Sequence, residues 1–445
     1  MRITQRKLNG IYVFASIGVL SLVWILLLSH SHTINHTIGS AGFRVRVSED
    51  QLNYIFSLVT TSIIFPTLFF WSIRNKIWQG RRAFKRYFLI LSVRKEMLDA
   101  NFHDERYLTE RVVRIPKIRI EFDSKDAHSG RLIIRDSIEF HERLSKATFT
   151  PALKGFLVEN VYQSHDGDYW IYGFISVHQL KSSKFESLND YLNWAQKNTN
   201  KYQLRIDDRL SFDLKHTLLV GATRSGKTYG LIGLLLQMLN KSVAYELFFA
   251  DPKNDQLKKI GKWISPQNAA FKTKELIDLI HKVYLRLEER EQEMAEATLN
   301  RMTGDYRDVN LNPILLIFDE FSSFINVLDT KEKKIVLGEL TAIVQRGAGA
   351  GVFLFLLMQK SDATTVPTAI RSNLLLKIVL GNAPTTTYTT TFESSSDIPF
   401  FKFSQGQGVL LDDTMSVPRV VSFPFLRFLD EYNNGQKAPA SLWKR

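Results

Sequence analysis

The chain has 445 residues, too many for one ordinary domain, and its 44% hydrophobic and 23% charged composition is that of a folded protein. It contains no cysteine, which excludes disulfides, thiolate metal sites, iron–sulfur clusters and cysteine nucleophiles. The formal net charge of +13 is concentrated at one end: residues 1–95 carry 13 Lys/Arg against two acids, and the rest of the chain is close to balance at +2.

Two uncharged runs come first, Ile11–Leu28 and Leu52–Ile73. As helices they reach roughly 27 and 33 Å, enough to cross a hydrocarbon core. Pro66 lies inside the second run, and membrane helices tolerate it. Arg2, Arg6 and Lys7 precede the first run, and eight Lys/Arg with no acid occupy positions 74–95. The positive-inside rule then puts both chain ends in the cytoplasm and residues 29–51 outside, as a two-span hairpin in the cell membrane. A cleaved signal peptide is the rival reading of the first run, but Ser-His-Ser-His after Leu28 lacks a small-x-small cleavage site. The basic 74–95 run reads most simply as a topology determinant that also touches anionic lipid, with DNA binding as the secondary reading. His30, His32 and His36 in the outer loop read as a solvated loop in preference to a metal site.

Residues 88–110 read as a charged helical connector. Short β-like runs follow at Lys117–Phe122, Arg131–Ile134, Gly155–Val161 and Tyr169–Ile175, punctuated by Asp/Gly-rich turns. They predict a small α+β adaptor without visible chemistry. From about residue 206, apolar strands alternate with amphipathic helices, the pattern of an α/β domain with a parallel sheet. The predicted strands are His216–Val220, Glu246–Ala250, Ile314–Phe318, Val352–Met358 and Leu374–Leu380. Between the second and third, Leu276, Ile280, Val283 and Leu287 form the apolar stripe of a long helix. Thr385–Ser396 reads as a low-complexity loop or a poorly marked helix start. The domain division is therefore 1–87, 88–205 and 206–445.

The first chemical motif is Gly221, Ala222, Thr223, Arg224, Ser225, Gly226, Lys227, Thr228, a full G-x-x-x-x-G-K-[ST] between an apolar strand and a helix. The glycines let successive N–H groups face phosphate oxygens at a helix N-terminus. Lys227 reaches the β/γ-phosphates, and the Thr228 hydroxyl binds Mg²⁺. The second motif is the apolar run from Pro313 to Phe318 that delivers Asp319 and Glu320 at its C-terminal end, the ligand edge of open α/β sheets. Asp319 fits the Mg²⁺-organising role, and Glu320 the base that polarises the attacking water. Gln359 ends another apolar strand and is placed to sense the γ-phosphate or position water. Asp251-Pro-Lys-Asn254 reads equally as part of the nucleotide pocket, a subunit contact or a plain turn. Arg346, before a glycine-rich helix-to-strand turn at 347–351, and Arg371 are candidates for an arginine finger acting in a neighbouring subunit, or for ordinary salt bridges.

Taken together, the P-loop, Asp-Pro-Lys at 251–253, Asp-Glu at 319–320, Gln-Arg-Gly-Ala-Gly at 345–349, Gln359 and Ile-Arg-Ser-Asn at 370–373 resemble the FtsK/SpoIIIE motor ATPases over roughly residues 206–425. Within that family the layout is similar to the short two-span coupling proteins of Gram-positive conjugative plasmids and transposons. The resemblance implies a RecA-like core, a homo-hexameric ring, and ATP-driven DNA translocation that delivers DNA to a transfer channel. Its implied partners are the channel proteins and a relaxase complex. A protein-secretion ATPase of the type VII kind, a septal chromosome translocase and a nucleotide-binding scaffold are the alternatives. Gln345-Arg-Gly-Ala-Gly departs from the more usual Gly-Arg-Ala-Ala-Gly of chromosome translocases. The tail after residue 425 is too short for their winged-helix DNA-reading module.

Overall fold

Five largely apolar runs decide the architecture of the larger part of the chain, because a strand buried on both faces has little room for polar side chains. The computed structural model describes residues 2–5, 48, 50, 51, 54, 69–102, 112–123, 126–360, 366–393, 402–415 and 417–443. Two compact units divide it, Met1–Ser176 and Val177–Arg445.

In the first unit, helix Arg81–Asp99 buries Ala83, Leu89, Val93 and Met97 at helical spacing. Leu89, Val93 and Met97 join the core of a four-stranded antiparallel sheet, in the order 118–122, 129–135, 169–176, 156–163. Phe122, Phe156 and Phe174 pack edge to face there, and the Tyr172 hydroxyl donates to the Leu144 carbonyl at 2.6 Å. The predicted span 11–28 and histidines 30, 32 and 36 lie outside the described residues, as does most of 52–73. Among the described residues, no helix is long and apolar enough to cross a membrane.

The second unit is built on an eight-stranded sheet ordered 269–270, 246–250, 314–319, 352–358, 217–221, 376–380, 407–411, 419–422. The first six strands are parallel. The last two pairings are antiparallel, so strand 407–411 runs against the rest, a departure from the parallel sheet expected. Only seven residues join Leu411 to Arg419, and a parallel crossover needs a dozen or more. The five predicted strands form within two residues of their expected ends. The striped helix runs Thr273–Ala297 and buries Leu276, Ile280, Val283 and Leu287.

One local expectation needs correction, and one left open between loop and helix start is decided. Residues 347–350 continue the helix Thr330–Ala350, and the turn comes only at Gly351, whose φ of 76° caps it. The threonine-rich segment forms a helix over Thr385–Phe392, since Tyr388 and Phe392 bury against the sheet side of the unit.

Residues 177–205, placed with the adaptor from sequence, sit inside the second unit. Helix Leu188–Gln196, capped by Ser187, buries Tyr191 against the P-loop helix, where the Gln237 amide donates to its hydroxyl at 2.8 Å. Leu204 and Ile206 enter the same core.

His216 opens the P-loop strand and is only 2% exposed. Its Nδ1 accepts the Leu354 N–H at 3.0 Å, so the ring proton sits on Nε2. Burial holds its pKa down to about 4, from 6.5. The unfolded chain therefore takes up this proton first as pH falls, and folded stability declines through the pH 6.5 to 4 window, by about 3 kcal/mol. Unfolding midpoints measured across that range should fall, with a shallower fall in His216→Asn. An equal slope in the variant would reject His216 as the source.

Candidate nucleotide site

Strand Thr217–Gly221 is fully buried and ends in the P-loop, so the loop is anchored by the sheet centre. Gly226 adopts φ 101° and N-caps helix Lys227–Leu239. A Cβ at Gly226 would meet the Gly406 nitrogen at 2.7 Å, and Gly406 N–H donates to the Ser225 carbonyl at 2.8 Å. The loop is thus held open against the turn before strand 407–411, and only glycine fits the contact. Arg224 also takes a left-handed φ of 69°. These residues leave a cleft of about 320 Å³ above the helix N-terminus.

The acidic pair reaches that cleft by strand register. Strand 314–319 is separated from the P-loop strand by strand 352–358, with Asp319 opposite Leu357. Asp319 accepts from Lys227 Nζ at 3.2 Å, and its side chain is 29% exposed. Burial raises the Asp319 pKa, and the Lys227 charge opposes that rise.

Glu320 is more tightly fixed. Its backbone is left-handed at φ 54°, it caps helix Phe321–Ile325, and its side chain is 7% exposed. One carboxylate oxygen receives Lys253 Nζ at 3.1 Å with Lys227 at 3.9 Å, and the other accepts the Gln359 N–H at 3.3 Å. A non-glycine residue in that conformation stores strain that the surroundings must hold, which is common at functional sites.

The P-loop residues Gly221, Ala222, Thr223, Arg224, Gly226, Lys227 and Thr228 line the cleft together with Asp319, Glu320 and Gln359. Ser225 lies beneath them, with its hydroxyl buried. Asp251 is buried as well, but one of its oxygens accepts from Asp255 and Lys258 N–H at 2.9 Å, so it organises the turn. Arg346 and Arg371 are not in this cleft. Arg346 is half exposed, pairs with Glu291 at 2.8 Å and lies over the Tyr284 ring. Arg371 is largely buried and pairs with Glu393 at 2.8 Å, which also holds Lys377.

Of the turn 251–254 that the sequence offered for the nucleotide pocket, Lys253 lines the cleft, but its pairing with Glu320 was not foreseen. The Gln405–Gly406 buttress carried no signal at all.

The Thr228 hydroxyl and the Asp319 carboxylate are hard oxygen donors lining the same cleft, the kind of set that Mg²⁺ takes with a nucleotide and water. The Gly226 cradle fits phosphate. Together they make the site of a P-loop NTP hydrolase.

No family model matches the chain. A curated relative, the FtsK domain-containing protein YdcQ of Bacillus subtilis (strain 168), is 27% identical over 204 residues. Over that stretch the chain is similar to an FtsK domain-containing protein. The match covers 46% of the chain and 42% of that relative, so less than half of the relative's length is spanned. Among solved structures, the pCW3 conjugation coupling protein TcpA with ATPgS aligns over 75% of this chain and 94% of its own, at 13% identity and a TM-score of 0.43. The cytoplasmic domain of the Thermomonospora curvata type VII secretion ATPase EccC aligns over 55% and 32%, at 18% and 0.40.

Proposed function

We propose that the chain is a membrane-anchored, ATP-driven DNA translocase, a coupling protein that delivers DNA to a conjugation channel. The observation that carries the motor reading is the fixed Glu320 carboxylate facing a P-loop across one cleft, with Lys227 bridging toward both acids. A nucleotide-binding scaffold has no use for a strained, doubly held carboxylate at that edge. The DNA and conjugation readings rest on the order of FtsK-type motifs and on the FtsK-domain relative. The RecA-like assignment is supported by the strand order, with one strand between the P-loop and the acidic strand.

In this mechanism the P-loop N–H groups and Lys227 hold the β/γ-phosphates, so Lys227 exchanges Asp319 for phosphate on binding. Thr228 and Asp319 would hold Mg²⁺, which would supply neutralisation of the phosphate charge. Glu320 orients the water for in-line attack and takes its proton, and Gln359 reads the γ-phosphate. Ring closure into a homo-hexamer adds an arginine in trans. Both candidates are paired with a glutamate, and Arg346 is the better placed because it is half exposed where Arg371 is largely buried. The two spans at 11–28 and 52–73 hold the chain in the cell membrane with both ends cytoplasmic, within reach of the channel proteins and the relaxase complex.

The test is ATP turnover by the purified full chain with and without single- and double-stranded DNA. Several-fold stimulation by either strand form supports a DNA motor. Turnover indifferent to DNA overturns it and moves the substrate to protein, as in a secretion ATPase.

A further inference from the structure

The nucleotide cleft is not the largest cavity. A second one, of about 870 Å³, lies wholly in the first unit between the start of helix Arg81–Asp99 and the sheet. Arg81, Arg82, Arg86 and Arg131 line it, against the carboxylates of Glu121 and Asp123. Two of the guanidiniums are pre-set by backbone: Arg82 donates to the Phe122 carbonyl, and Arg86 to the Asn75 carbonyl at 2.9 Å. Each spends one of its five N–H donors in this way, which leaves a fork free. Arg131 and Arg119 share Glu121 at 3.8 and 3.6 Å. Among the described residues, no carboxylate pairs with Arg81, Arg82 or Arg86. The cavity therefore holds a cationic excess with oriented donors, which matches phosphate.

The same stretch of chain exposes apolar rings. Trp78 is 65% exposed, Phe84 43% and Phe88 63%, with Phe70 and Ile73 exposed just before them. Large aromatics beside arginines, with no acid from 74 to 95, are the composition of a membrane–water interface. The aromatic cluster also abuts the uncharged run 52–73.

We propose that this cavity binds the phosphate of anionic phospholipid headgroups, with Trp78, Phe84 and Phe88 seated at the acyl boundary. The choice of lipid over free phosphate rests on the membrane-anchored reading and on the exposed rings. The site would fix the first unit against the anionic leaflet.

The experiment uses the full chain in neutral detergent, titrated with short-chain phosphatidylglycerol, short-chain phosphatidylcholine, inorganic phosphate or a single-stranded oligonucleotide. Binding is read by Trp fluorescence and by the unfolding midpoint. Phosphatidylglycerol should bind, phosphatidylcholine should not, and Arg81→Gln/Arg86→Gln should weaken binding at least about tenfold. Trp78→Ala should weaken the lipid and leave inorganic phosphate unaffected. Because Arg86 also holds a carbonyl, Arg81→Gln/Arg131→Gln is the second variant, with unchanged ATP turnover as its folding check. Equal binding of inorganic phosphate and lipid, tighter binding of the oligonucleotide, or no binding at all each overturns the proposal. Carbonate extraction of cell membranes tests the anchor separately. Extraction into the soluble fraction sinks the spans, and loss of the phosphatidylglycerol preference alone sinks the headgroup site.

Discussion

Glu320→Gln is expected to cut ATP turnover by roughly 10²–10⁴-fold, the usual contribution of a positioned general base, while ATP still binds. The substitution keeps the shape of the side chain and its acceptor for the Gln359 N–H. It removes the negative charge that Lys253 meets at 3.1 Å and Lys227 at 3.9 Å. Affinity should therefore hold or rise, because Lys227 is released from one of its two acids and is freer to meet phosphate. The measurement is a pair: equilibrium titration with a fluorescent ATP analogue, and phosphate release at saturating ATP. Turnover within threefold of the unmodified chain would remove Glu320 from the role of base. A combined loss of binding and turnover would mean that its left-handed cap is needed to shape the cleft.

The halves of this site were unequally legible. The P-loop announces itself because a phosphate cradle is contiguous in sequence, and its Gly226 is demanded by a φ of 101° that few other residues adopt. Asp319 and Glu320 are legible as the end of an apolar run, since a doubly buried strand must be apolar throughout. The pairing of Lys253 with Glu320 was not, because it depends on strand 246–250 lying beside strand 314–319, with Ala250 opposite Phe318. Register between strands more than sixty residues apart leaves no local trace. The same holds for Gly406, whose contact with Gly226 spans 180 positions, and for Tyr191, whose buried hydroxyl finds Gln237 on the P-loop helix. The last two strands of the sheet were missed for another reason: 407–411 and 419–422 are short, and glycine and proline interrupt the apolar signal around them.

Lys227→Ala should act on the folded protein before any nucleotide arrives. Lys227 is nearly buried and is the cation closest to Asp319. Losing one charge-assisted contact to phosphate, about 1.5–3 kcal/mol, weakens ATP binding by roughly ten- to a hundredfold. Turnover falls with it. Without Lys227, the burial that already raises the Asp319 pKa is unopposed, so its folded pKa climbs further above the unfolded value. The folded state then holds a proton that the unfolded chain has released, and stability is lost as pH rises through that window. The variant should accordingly show a steeper loss of unfolding midpoint than the unmodified chain on going from about pH 4 toward neutrality. Adding Asp319→Asn should cancel that extra slope without restoring ATP binding. If Lys227→Ala keeps the parent's pH profile, the ion pair with Asp319 contributes nothing to the resting state, and Lys227 serves phosphate alone.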